Sequence, residues 1–284
     1  MAPLVLRSVA ETTAWVDSLR RSGRSLALVP TMGYLHEGHL SLMREGRRRA
    51  DVVAASIFVN PTQFGPNEDL ARYPRDLEGD LAKCASAGAE AVFCPEPAEM
   101  YPAGFQTAVT VGEVSQGLCG ARRPGHFAGV ATVVTKLFCL LRPQVALFGE
   151  KDYQQLQVIR ALVRDLNLGV DILGMPTVRE PDGLALSSRN AYLSPEERQR
   201  ALALSRGMKA AQALQARGTH EAAALVDVVR RELAAAGLRE DYVELVDSTT
   251  LKPVSHVTPG QTARMIVAAF AGKTRLIDNQ PIGG

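Results

Sequence analysis

Short, continuous apolar runs alternate with segments of helical period through the first part of the chain. Residues 25–30 (SLALVP), 51–60 (DVVAASIFVN), 90–95 (EAVFCP), 145–149 (VALFG) and 170–176 (VDILGMP) have strand length and are mostly apolar. Such runs fit strands buried on both faces. Between them, residues 37–50, 76–88, 127–141 and 153–167 carry apolar positions at helical spacing. An earlier helix is set by Ser8 and Glu11, spaced as a capping box, and runs towards Gly23. Strand and helix in alternation predict a mostly parallel sheet covered on both faces.

The pattern changes after about Met175. Ser194-Pro195-Glu196-Glu197 sets an N-cap, an N1 proline and an N3 glutamate in series. Two Ala/Leu-rich helices follow, divided near Gly218-Thr219, and then strands at 241–247 and 263–270; Ile282, Gly283 and Gly284 read as a frayed end. The expectation is an α/β fold, a Rossmann-like doubly wound parallel sheet over 1–177, with a smaller C-terminal α+β lid domain over 178–284.

Composition narrows the function. The 284 residues suit about two domains, and 46% hydrophobic with 22% charged residues is ordinary for a globular chain. A net charge of +2 argues against a broad face for nucleic acid. The basic run Arg47-Arg48-Arg49 ends a predicted helix, where cations suit the dipole. Cys84, Cys94, Cys119 and Cys139 show neither a C-x-x-C pair nor zinc-ribbon spacing, and read as reduced thiols, mostly packed inside. With no secretory h-region and no window of membrane-span length, a cytoplasmic protein without membrane partners is expected.

In open α/β sheets, ligands sit beyond the carboxyl ends of the strands, where helix N-termini aim N–H groups at anions. Polar segments fall at such ends at 31–39, 60–63, 149–152 and 187–190. In the first, His36 and His39 flank Gly38. A zincin pair needs i,i+4 spacing on an unbroken helix, so this pair argues against a metal. Gly38 costs ~1 kcal/mol of helix stability relative to alanine, yet lets a ligand approach the backbone. Imidazoles beside phosphates donate hydrogen bonds and, when protonated, offset charge. H-x-G-H after a strand resembles the nucleotide signature of the class I aminoacyl-tRNA synthetase-like nucleotidyltransferases. Lys151 offers a point charge for a phosphate, and Asp152 an acceptor for a ribose hydroxyl or an amine. Ser187, Ser188 and Arg189 put two hydroxyls and a guanidinium in a loop that can close over a triphosphate.

The stretches PTMGYLHEGHLSL, SIFVNPTQFG, YPRDLEGD, GHFAGVATVVTKL, FGEKDYQQL, VREPDGLALSSRNAYLS and TRLIDN run in order from residue 30 to 279. Together they resemble the pantothenate synthetase, or pantoate–β-alanine ligase, family. Tyr34 and Leu186 differ slightly from the commonest family pattern. The resemblance implies ATP binding by Met32, Gly33, Tyr34, Leu35, His36, Glu37, Gly38 and His39. It extends that site to Gly149, Glu150, Lys151, Asp152, Val178, Leu186, Ser187, Ser188 and Arg189. His39 is the implied catalytic histidine, with His36, Lys151, Ser187, Ser188 and Arg189 as its phosphate-handling partners. Gln63 is implied to bind pantoate and β-alanine, Gln155 to bind pantoate, and Asn60 belongs to the same substrate-binding set. His126 is either near the substrate pocket or a helix-start histidine; both readings stand.

The implied activity is ATP-dependent condensation of pantoate with β-alanine through pantoyl adenylate, releasing pyrophosphate and AMP. Mg²⁺ is expected to bridge the phosphates with no protein ligand named, and a homodimer is expected. Two other classes compete. A nucleotidyltransferase acting on a phosphorylated acceptor needs extra cations, whereas Asn60-Pro61-Thr62-Gln63-Phe64 is amide-rich and uncharged. A non-catalytic nucleotide- or RNA-binding protein fits poorly with near-neutral charge and a full set of phosphate-handling residues.

Overall fold

The computed structural model describes residues 2–283 except Asn67 and Pro259. By contact the chain divides into two compact units. The first comprises Met1–Ser115, Cys119–Glu150 and Gln155–Pro176; the second comprises Gln116–Leu118, Lys151–Gln154 and Thr177–Gly284.

The elements up to Pro176 run in the order β1 (Leu4–Leu6), α1 (Val9–Arg21), β2 (Leu26–Thr31), α2 (Glu37–Arg49), β3 (Val52–Ile57), α3 (Leu77–Ser86), β4 (Ala91–Phe93), α4 (Pro97–Met100), α5 (Leu118–Arg122), α6 (His126–Leu141), β5 (Val145–Gly149), α7 (Tyr153–Asp165) and β6 (Asp171–Met175). Among the described residues the strands form one six-stranded sheet in the order β1-β4-β3-β2-β5-β6. Every pairing in it is parallel. Leu26, Ala27, Leu28 and Val29 of β2 and Val52, Val53, Ala54 and Ala55 of β3 are all buried, as strands covered on both faces require. α2 packs on β2, β3 and β5, and α1 packs on α6. The Ser8–Glu11 capping box is present at the start of α1.

β1 has no counterpart in the sequence reading, because three residues are too short to show a period. β3 ends at Ile57, three residues earlier than its apolar run suggests, because Asn60 turns away to cap the short 3₁₀ turn Pro61–Gln63.

The second unit is α+β. α8 (Pro195–Ala216) starts at the Ser194–Glu197 capping box, and α9 (Ala222–Ala235) packs against it. Both lie with the antiparallel sheet β7-β8-β9, formed by Arg239–Asp247, Ala263–Ala271 and Thr274–Ile282. Leu204, Met208, Leu225, Val229, Met265 and Val267 belong to its core. β9 is the strand that the pattern missed, since Arg275, Asp278, Asn279 and Pro281 interrupt its apolar alternation. Ile282, expected in a frayed end, instead closes β9 and is 1% exposed; Gly284 lies outside the described residues. Among the described residues no helix is long and apolar enough to cross a membrane.

The cysteines separate by burial. Burial, with Asp80 nearby, pushes the Cys84 thiol up to about 12, and burial pushes Cys94 up to about 11, whereas Cys139 is exposed. Thiolate is the reactive form. Alkylation of the native protein at pH 8 is therefore expected to mark Cys139 and spare Cys84 and Cys94, as read by mass spectrometry. Labelling of Cys84 as fast as Cys139 would contradict this packing.

Candidate active site

The chain leaves β2 through a left-handed turn, with Gly33 at φ +86° and Tyr34 at φ +52°. A non-glycine residue there needs support. Asp80 of α3 supplies it. Its carboxylate is 1% exposed, and its oxygens accept the Tyr34 and Leu35 N–H groups, each at 2.7 Å. The turn delivers His36 to the N-cap of α2.

The two histidines then form a capping box with each other. His36 Nδ1 accepts the Gly38 N–H at 3.2 Å, and His39 Nδ1 accepts the His36 N–H at 3.3 Å. The rings lie 4.2 Å apart. A neutral ring that accepts at Nδ1 carries its proton on Nε2. Both histidines are thereby set as Nε2–H donors at a helix N-terminus, where anions are favoured. A Cβ on residue 38 would stand 2.9 Å from His36 Cε1, so Gly38 makes room for the ring that caps it.

β3 is hydrogen-bonded beside β2, and Asn60 and Gln63 follow it, both buried. Asn60 Oδ1 accepts from Thr62 Oγ1 at 2.9 Å and from the Tyr101 hydroxyl at 2.8 Å. Its Nδ2 must therefore be the group that donates to Gln63 Oε1 and Gly129 O, each at 3.1 Å. That fixes the Gln63 amide in turn, with Nε2 facing Met32 Sδ at 3.2 Å. A thioether is a weak acceptor, so the Gln63 donor is set against a partner that a carboxylate or hydroxyl would improve on. A Cβ at position 129 would lie 2.5 Å from Thr62 O; Gly129 lets α6 pass this close.

His126 is 8% exposed. Its Nδ1 meets Gln63 O at 2.8 Å and its Nε2 meets Arg123 Nη1 at 3.1 Å. Arg123 also donates to Gln63 O at 3.2 Å and pairs with Glu68. Burial works to raise the Glu68 carboxyl, but its bonds to Arg123 outweigh this and hold it below its ordinary range. Through these contacts His126 braces the Gln63 main chain. Gln155 of α7 is half-buried; Gly149 closes β5, which pairs with β2 on the side away from β3, and Glu150 opens the turn after it.

The remaining expected residues group with the second unit. Lys151 and Asp152 lie in the 3₁₀ turn Glu150–Asp152. Val178 O accepts the Leu186 N–H at 3.0 Å, closing a narrow loop. From its end, Ser187 caps the 3₁₀ turn Ser188–Tyr192, its Oγ accepting the Arg189 N–H at 3.3 Å. Sequence reasoning missed Asp80, Tyr101, Glu68 and Arg123. The motif YPRDLEGD ends in Asp80 and GHFAGV follows shortly after Arg123, but nothing in the spacing says which side chain turns inward.

A doubly wound parallel sheet with a donor-rich helix start after one strand and a fixed amide after its neighbour is the architecture of a nucleotide-dependent α/β enzyme. Known proteins narrow that class. The family model for pantoate-beta-alanine ligase matches residues 4–281. The chain is 75% identical over 285 aligned positions to the pantothenate synthetase of Myxococcus xanthus, covering 100% of this chain and 98% of that one. It is 63% identical to that of Anaeromyxobacter dehalogenans, covering 95% and 96%. The pantothenate synthetase structure from Thermus thermophilus superposes with a TM-score of 0.93 at 49% identity, covering 99% and 100%. The pantoate-beta-alanine ligase from Francisella tularensis, solved with beta-gamma ATP and beta-alanine, gives 0.80 at 33% identity, covering 99% and 98%. The chain belongs to the pantoate–β-alanine ligase family, and is an enzyme of that family.

Asp80 offers a direct test of this geometry. Asparagine would turn an NH₂ group against one of the two backbone N–H groups. Asp80→Asn is expected to cost about 1.5–3 kcal/mol, the range for a lost charged hydrogen bond, read as a shift in denaturant midpoint. A change below ~0.5 kcal/mol, the size of an ordinary surface substitution, would rule out the clamp.

Proposed function

We propose that this protein condenses pantoate with β-alanine in two steps, through a pantoyl-adenylate intermediate. The observation that carries the reading is the adjacency of two chemistries within the first unit. Paired imidazole donors follow β2, and the oriented Gln63 amide follows β3; Met32, which lies on the turn leading to the histidines, meets Gln63 Nε2 through its Sδ at 3.2 Å. A carboxylate beside a triphosphate is what adenylation requires.

In the first step the pantoate carboxylate attacks the α-phosphorus of ATP and pyrophosphate leaves. The nucleophile is already ionised at neutral pH, so no general base is needed. The work falls to positioning and to stabilising charge on phosphoryl oxygens. Nε2–H groups of His36 and His39 suit that task, as do the Lys151 ammonium, the Ser187 and Ser188 hydroxyls and the Arg189 guanidinium. Gln63 and Gln155 hold pantoate through neutral amides. In the second step the β-alanine amine attacks the acyl carbon and AMP leaves. Mg²⁺ belongs to the nucleotide substrate in this reading. Such an ion would be held mainly by substrate phosphates and water, with one or two protein carboxylates at most. Family membership supports a cytoplasmic homodimer that needs no nucleic acid.

A nucleotidyltransferase on a phosphorylated acceptor is less well supported. Arg123, the cation bonded to the Gln63 main chain, is already paired with Glu68.

Two outcomes test the proposal. Exchange of labelled pyrophosphate into ATP should require pantoate but not β-alanine; exchange only with all three substrates would contradict the two-step order. His39→Ala should lower kcat roughly 100-fold or more, as loss of one transition-state donor does, with a much smaller effect on ATP binding. Near-normal turnover in that variant would remove His39 from the mechanism.

A further inference from the structure

The stretch TRLIDN matches the family, yet none of its residues has a part in the chemistry above. It forms most of β9, and Asp278 and Asn279 are buried, at 3% and 2% exposed. Such burial is costly for polar side chains unless each is fully bonded. Their partners are informative. Asn279 Nδ2 donates to the Lys151 carbonyl at 2.8 Å, and its Oδ1 accepts from Arg264 Nε at 2.6 Å. The Arg264 guanidinium in turn lies 3.7 Å over the Tyr153 ring, and the Tyr153 hydroxyl donates to Ser248 O at 2.9 Å. Asp278 takes both Arg179 Nη groups, at 2.6 and 2.8 Å. Arg179 stands at the base of the loop closed by Val178 and Leu186, immediately before Ser187.

Adjacent residues of one strand thus tie down two segments, one bearing Lys151 and the other leading to Ser187, Ser188 and Arg189. We propose that Asn279 is a positioning residue for Lys151, holding its main chain so that the ammonium is delivered to the nucleotide phosphates. This rests on the reading of Lys151 as a phosphate contact. The turn Glu150–Asp152 is only three residues long, so a tether at the middle carbonyl fixes where the lysine side chain begins. Lysine carries a flexible four-carbon stem, and a fixed root reduces the volume its charge explores. Arg264 contributes by setting the orientation of the Asn279 amide. With Oδ1 committed to a guanidinium donor, Nδ2 is the group left to face the carbonyl.

Asn279→Asp separates this role from simple structural support. A carboxylate would strengthen the bond to Arg264 but place an acceptor against the Lys151 carbonyl. The expected result is a fall of about tenfold in kcat/KM for ATP, a pantoate KM unchanged within about twofold, and a melting temperature lowered by no more than the loss of one buried hydrogen bond accounts for. Asn279→Ala, which removes the tether without adding charge, should give the same ATP-specific loss, and serves if the aspartate variant does not fold. In the double variant with Lys151→Ala, the aspartate should add little to the loss from Lys151→Ala alone. Unchanged ATP kinetics, full additivity, or equal losses for every substrate alongside a lowered melting temperature would overturn the inference. If Lys151→Ala itself leaves ATP kinetics untouched, the phosphate reading of Lys151 falls and the inference falls with it. A strong Lys151→Ala defect beside an innocent Asn279→Asp overturns the inference alone.

Discussion

The first unit's site hangs on one buried carboxylate. Asp80 receives two backbone N–H groups from a turn that includes a left-handed tyrosine. Without it, two amides would lose their acceptor at the exit of β2, and the backbone conformation that starts α2 would be unsupported. Everything downstream follows that exit. His36 becomes an N-cap only because the turn reverses the chain there, and His39 reaches back to the His36 N–H only because α2 begins at Glu37. The carboxylate never needs to meet a substrate to matter. It converts a strand end into a rigid donor site.

A second hydrogen-bond chain governs the neighbouring loop by the same logic of committed acceptors. Tyr101 and Thr62 saturate Asn60 Oδ1, which obliges Asn60 Nδ2 to donate, which obliges Gln63 to present its NH₂ group. A tyrosine hydroxyl is already protonated through the neutral range, and burial raises the Tyr101 pKa further. From the other side, Arg123 and His126 grip the Gln63 carbonyl. Neutral amides are ambiguous groups, able to point either end at a ligand. Here the surroundings remove the ambiguity, at both the side chain and the main chain.

Much of this was legible in the sequence, for identifiable reasons. Buried parallel strands write themselves as unbroken apolar runs, so β2, β3 and β5 stood out. Ser8–Glu11 and Ser194–Glu197 have the residue types of a capping box, and both boxes form. His36–His39 has the same spacing with unusual residue types, and its capping role went unseen while its position at a helix start did not. β1 was too short to show a pattern, and β9 alternates with charged and amide side chains that are buried because they pair with distant partners. Strand order, with β2 between β3 and β5, was likewise beyond local reading, because it depends on which crossovers the helices permit. The long-range polar contacts were hidden for the same reason. Asp80 lies 46 positions from Tyr34, and Asn279 lies 128 from Lys151.

The tautomers of the histidine pair bear on what kind of catalyst this site can be. Each Nδ1 is spent on a backbone N–H, so a neutral ring can only donate from Nε2. A general base would need the opposite, an accepting nitrogen turned towards the nucleophile. Acyl adenylation makes no such demand, since its nucleophile arrives ionised. It demands donors where negative charge accumulates as pyrophosphate departs, and a pair of fixed imidazole N–H groups at a helix start meets that need without reorganising. The same geometry would serve poorly for activating a hydroxyl or water. The proposed reaction, in which water must be kept from a reactive acyl phosphate, is therefore well matched to a pair of histidines that offer N–H donors and cannot readily deprotonate a solvent molecule beside them.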